Sequence, residues 1–131
     1  MAVAHVAVVC AGLLGLLVFG LGLMVSLNRG RTKTNFGYPT DPTDPLYKAV
    51  RAHSNAAEYA PMMAILILYL GTRTPGRWLA ATFVVATISR YLHAAGMIRC
   101  ESLDRPDPLR FTGALGTYIT GLILAVAALV V

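Results

Sequence analysis

Arg51, Asn55 and Glu58 enter an otherwise apolar stretch at spacings of four and three residues, which at about 100° per residue puts all three on one helical face. A guanidinium recognises carboxylates, a carboxylate recognises an ammonium group, and an amide serves either side. Further along, Arg90 and His93 are adjacent on one face with Tyr91 beside them, and Arg110 opens the last apolar run. Together these residues suit an anionic, peptide-sized polar ligand, with something apolar admitted from the side. Ionisable groups at membrane depth cost roughly 3 kcal/mol each, so such groups normally face protein or a water-filled cavity and mark a site.

The elements that must carry them are membrane helices. The chain has 131 residues, and the 56% that are apolar exceed the soluble norm, which points to one membrane domain covering residues 1–131. Val3 to Leu27, Trp78 to Met97 and Phe111 to Val131 approach or exceed the roughly 20 residues that cross a hydrocarbon core of about 30 Å. Leu46 to Gly71 is a fourth span with its polar face near the start. The fold class is thus an all-α, antiparallel four-helix bundle, with helices expected at 3–27, 45–71, 76–98 and 108–131. Asp44-Pro45, Thr74-Pro75 and Asp107-Pro108 each place an acceptor at the N-cap and proline at the first helical position, marking three helix starts. Glycines at 12, 15, 20 and 22 and at 113, 116 and 121 allow close backbone approach in lipid.

Met1 to Leu27 lacks a basic n-region and its apolar run exceeds that of a signal peptide, so it is expected to remain as a span. The net charge of +5 arises in the connections rather than in a soluble basic patch, which argues against nucleic acid as a partner. Arg29, Arg31, Lys33 and Lys48 lie between the first two spans, and Arg99, Arg105 and Arg110 between the last two. The positive-inside rule then puts these connections in the cytoplasm and both termini outside, in a multi-pass topology suited to a bacterial inner membrane. Cys10 and Cys100 read as free thiols. His5, His53 and His93 lack ligand spacing, so no metal site is expected. There is no nucleophile–base pair and no phosphate loop.

Each polar residue also has an architectural reading. Arg51 and Glu58 would neutralise each other or a neighbouring arginine as a buried pair. Arg90 would snorkel to the headgroups. His93 would bond a helix-two carbonyl, and Arg110 would meet an anionic lipid beside Arg105.

Arg51-Ala-x-x-Asn55-x-x-Glu58-Tyr59-x-Pro61, then Arg90-x-x-His93-Ala-x-Gly96, then Pro108-Leu-Arg110-Phe-x-Gly113-Ala-Leu resembles the MAPEG family, the membrane-associated proteins in eicosanoid and glutathione metabolism. The later segments look most like its bacterial branch. The resemblance implies a homotrimer of four-helix bundles with glutathione, the cosubstrate, bound between subunits near the cytoplasmic side. It implies that Arg51, Asn55, Glu58 and Tyr59 hold the tripeptide, that Arg90 and His93 add contacts, and that Arg110 activates the thiol. Arg29 or Arg31 matches an arginine at the end of helix one that also reaches the peptide. Two positions depart from the pattern: Met97 replaces a glutathione-contacting tyrosine, and Ser54 replaces an arginine that some members carry. The expected function is that of a glutathione-dependent transferase or peroxidase acting on lipophilic electrophiles or lipid hydroperoxides. The alternative is a non-catalytic scaffold for a lipid or metabolite. The expected partners are membrane lipids, glutathione and a hydrophobic small molecule.

Overall fold

The structure, a computed structural model, describes residues 3–73 and 76–131. Among these residues there are four helices and no strand: α1 (Val3–Thr32), α2 (Pro45–Gly71), α3 (Arg77–Arg99) and α4 (Pro108–Val130).

The helix starts are written locally. Asp44 accepts a hydrogen bond from the Tyr47 N–H at 3.0 Å, and Asp107 accepts one from the Arg110 N–H at 2.8 Å, each followed by proline at the first helical position. Thr74 and Pro75, expected to open α3, lie outside the described residues, and α3 follows Gly76 without a side-chain cap. α1 runs to Thr32 rather than ending at the expected Leu27. Its apolar run stops there, but polar side chains bonding back along the helix, Asn28 to the Met24 carbonyl and Thr32 to that of Asn28, carry it one turn further. The other described ends fall within a residue of expectation, where helices fray.

α1 packs chiefly on α2, and α3 chiefly on α4, while α1 and α4 do not meet. These two, which by length and hydropathy are the candidate membrane spans, therefore flank the more polar α2 and α3. The buried stripe of α2, Leu46, Ala49, Ala52, Ala56, Ala60, Met63, Ile67 and Leu70, recurs every three or four residues as a helix packed on one side requires. Pro61 lies within α2, and having no N–H it leaves the Ala57 carbonyl without its helical partner, one residue from Glu58.

Glycine decides how closely α3 and α4 approach. A methyl on Gly113 would collide with the His93 backbone, and one on Gly96 with the Arg110 backbone. The connections at residues 33–44 and 100–107 share one end of the bundle. The Leu103 N–H donates to the Pro42 carbonyl at 3.0 Å, and Lys48 Nζ to the Cys100 carbonyl at 3.0 Å.

Candidate functional site

Arg90 is the centre of the polar constellation and is 1% exposed. One guanidinium nitrogen donates to Asn55 Oδ1 on α2 at 2.6 Å, and the other to Thr117 Oγ1 on α4 at 3.2 Å. Thr117 donates in turn to the Gly113 carbonyl at 2.7 Å. The guanidinium also lies 5.2 Å from the centroid of the Tyr59 ring. One arginine on α3 thereby joins α2 and α4, so the expectation that it snorkels to headgroups is corrected. It lacks a carboxylate partner among the described residues, where the one ion pair is the exposed Arg105–Glu101. A buried cation held by neutral acceptors and a ring face keeps its charge uncompensated, which favours an anion nearby. Its Nε has no hydrogen-bond partner.

His93, one turn along α3, is buried against Gly113 rather than bonded to a helix-two carbonyl, and its Nδ1 has no partner. It lines a cleft of about 560 Å³ with Asp107, Arg110, Phe111 and Ala114. Arg110 is held at this cleft by donating to the Leu103 carbonyl at 3.1 Å and the Arg105 carbonyl at 2.7 Å. A guanidinium has five N–H donors, so this anchoring leaves donors over.

Arg51 and Glu58 behave differently. Both are exposed on the outer face of α2, and neither forms an ion pair among the described residues, so the expectation that they neutralise each other within the chain is corrected. Glu58 instead borders a groove of about 300 Å³ between α2 and α4, lined otherwise by Tyr59, Thr117, Tyr118 and apolar side chains including Met62, Met63 and Leu66. Arg29 donates to the carbonyls of Gly37 at 2.6 Å and Thr34 at 3.3 Å. Its hydrogen bonds thus brace the connection after α1 and reach none of the other candidate residues.

The structure therefore brings Asn55, Tyr59 and Arg90 together directly. His93 and Arg110 share the neighbouring cleft, and Arg51 and Glu58 stand at the outer face. Sequence reasoning missed Thr117 and Tyr118. The signal available was the polar group Thr117, Tyr118 and Thr120 near the middle of a mostly apolar span, beginning about two turns beyond Arg110. Met97 is 7% exposed and packs with Leu17, Leu21, Ala52 and Ala56, so it belongs to the core and not to the site. Among the described residues no group of His, Cys, Asp and Glu could hold a metal ion.

No curated protein and no solved structure matches the chain. A family model, that of the MAPEG family, matches residues 7–130, which takes in all of α2, α3 and α4, α1 except its first four residues, and every candidate residue above. The chain therefore belongs to the MAPEG family, whose members are membrane-associated helical bundles of glutathione-related transferase and peroxidase type.

Proposed function

We propose that this protein is an integral membrane transferase or peroxidase that uses glutathione against lipophilic electrophiles or lipid hydroperoxides. The observation that carries this reading, beside family membership, is the exposed polar face of α2. Arg51 and Glu58 lie in a helix of 27 residues, long enough to cross a bilayer, yet both are turned outward from the chain. Charges left towards hydrocarbon are costly, so the face calls for cover. In this reading a homotrimer supplies it: the partner's surface closes over α2, all four helices span, and glutathione lies between subunits at the end bearing the 33–44 and 100–107 connections. The basic residues there support a cytoplasmic position for that end in this reading, with both termini outside.

Glu58 would take the tripeptide's ammonium group and Arg51 a carboxylate, while Asn55, held by Arg90, offers its amide N–H groups. Tyr59, its ring under the Arg90 guanidinium, would form the wall between peptide and apolar groove. His93 adds a polar wall to the cleft beside Arg110. Arg110 sits in the first turn of α4, where the helix dipole adds positive potential, and its guanidinium favours the thiolate over the thiol. The thiolate sulfur then bonds to the electrophilic carbon as the leaving group departs. With a hydroperoxide, two glutathiones are oxidised to the disulfide as the substrate is reduced to alcohol and water. The apolar α2–α4 groove would seat the lipophilic partner.

The competing reading is a non-catalytic lipid- or metabolite-binding scaffold. It is favoured by Met97, a buried core residue where the family pattern carries a glutathione-contacting tyrosine. Initial rates with glutathione and a chlorodinitrobenzene-type electrophile separate the two. Turnover that falls about tenfold or more in Arg110→Ala, with glutathione affinity changed much less, supports thiolate activation. Absence of conjugation and of peroxide reduction by the purified protein favours the scaffold.

A further inference from the structure

The two phenols that border the α2–α4 groove are unusually placed. Tyr118 lies ten residues into α4, about 15 Å from its start and so near the middle of a span, too deep for an interfacial belt residue. Its hydroxyl oxygen is 3.3 Å from that of Tyr59, and the rings meet edge to face with centroids 5.9 Å apart. Neither phenol has another hydrogen-bond partner among the described residues. The pair therefore has two O–H hydrogens and one shared contact, leaving one hydrogen without an acceptor. In hydrocarbon, where water is absent, such a donor seeks one.

Which phenol keeps the spare hydrogen follows from their surroundings. The Arg90 guanidinium lies over the Tyr59 ring, draws electron density from it and makes Tyr59 the better donor to its neighbour. Tyr118 carries no such cation and is 55% exposed towards the groove. Either hydroxyl can donate across this contact; with Tyr59 as the donor, the Tyr118 O–H is left to point outward. Apart from Glu58 at its border and Thr117, whose hydroxyl already bonds Arg90 and the Gly113 carbonyl, the rest of the wall, from Met62 and Met63 to Leu122 and Ala125, is apolar.

We propose that Tyr118 is a specificity-determining residue: it donates a hydrogen bond to an oxygen on the body of the lipophilic substrate and so selects oxygenated chains over plain hydrocarbon ones. The oxygen concerned is not at the reacting carbon. Arg110 and Tyr118 are eight residues apart on α4, a rise of about 12 Å between their backbones, and the Arg110 guanidinium assigned to the thiolate is drawn back towards the 100–107 connection. A mid-chain hydroxyl, keto or epoxide group on a long-chain electrophile has that separation. This inference rests on the transferase reading for its substrate, but not for its test.

The test compares unmodified protein with Tyr118→Phe, which keeps the ring against Tyr59, in bilayers of identical composition so that partitioning cancels. One arm measures binding of a mid-chain hydroxy fatty acid methyl ester and of its deoxy analogue. The other measures glutathione conjugation of a long-chain enal with and without a mid-chain hydroxyl. The hydroxylated ester should bind roughly fivefold to tenfold more weakly to Tyr118→Phe, as expected for one lost hydrogen bond, while the deoxy ester changes little. The hydroxylated enal should lose kcat/KM by a similar factor, and the plain enal should not. Equal effects on both esters, or none on either, would overturn the role of Tyr118 even if both enals are conjugated. Absence of conjugation by the unmodified protein would overturn the transferase reading, and the binding arm would still decide for or against Tyr118.

Discussion

The interior around Arg90 and the outer face of α2 use the same residue types in opposite ways. Arg90 has its hydrogen-bond acceptors inside the chain, Asn55 from one neighbouring helix and Thr117 from another, and it is almost wholly buried. Arg51 and Glu58, one turn to either side of Asn55, reach no ionic partner within the described chain and are exposed. The first arrangement is completed by the fold. The second is completed only from outside it, by another subunit and a ligand in the reading proposed above. Asn55 joins the two, because the amide that Arg90 fixes is also the inner edge of the exposed face.

That contrast is most directly broken at Arg90. Arg90→Leu removes the charged donor to Asn55 and Thr117, leaving Asn55 Oδ1 without a partner and Thr117 with its bond to the Gly113 carbonyl alone, at about 1.5–3 kcal/mol for each lost hydrogen bond to a charged group. The thermal midpoint in mild detergent should fall sharply, and glutathione affinity should fall with it because Asn55 is released. A variant that unfolds like the unmodified protein would show that the three-helix junction is not what holds the interior. Gly113→Ala is expected to cost less, about 1–3 kcal/mol, since the His93 backbone must move to admit the methyl. The measurement is again the unfolding midpoint, and no change there would contradict the close approach of α3 and α4. Glu58→Gln sharpens the contrast from the other side. The exposed carboxylate makes no internal ion pair, so chain stability should change by no more than about 0.5 kcal/mol, while glutathione binding drops about tenfold or more. Loss of stability with binding preserved would reverse the roles assigned to the two regions.

Much of this was legible in the sequence because its causes are local. Asp44-Pro45 and Asp107-Pro108 announce helix starts through the capping carboxylate and the missing N–H, both settled within four residues. The spacing of Arg51, Asn55 and Glu58 on one face needs only the helical period. What the sequence withheld is where the partners come from. That Arg90 is buried rather than snorkelling depends on Asn55 and Thr117, which lie 35 residues before it and 27 after it. The Tyr59–Tyr118 pair spans 59 residues and no periodicity announces it. Arg29 illustrates the converse. Position alone made it a ligand candidate, while its short-range bonds to Thr34 and Gly37 depend on how the following connection turns, with Lys33 at a φ of 51° and Gly37 at 67°. The extra turn of α1 beyond Leu27 was hidden for a related reason, since hydropathy reports the apolar run and not the polar bonds that continue the helix.

The central claim is that the exposed face of α2 and the cleft at Arg110 together bind glutathione and hold its sulfur as thiolate. The most direct measurement is a titration of the purified protein, in mild detergent with bound lipid retained, with glutathione at neutral pH while following thiolate absorbance near the ultraviolet edge. Saturable thiolate formation is expected in the unmodified protein, and binding without that signal in Arg110→Ala. No saturable binding by the unmodified protein, or an undiminished thiolate signal without Arg110, would contradict it.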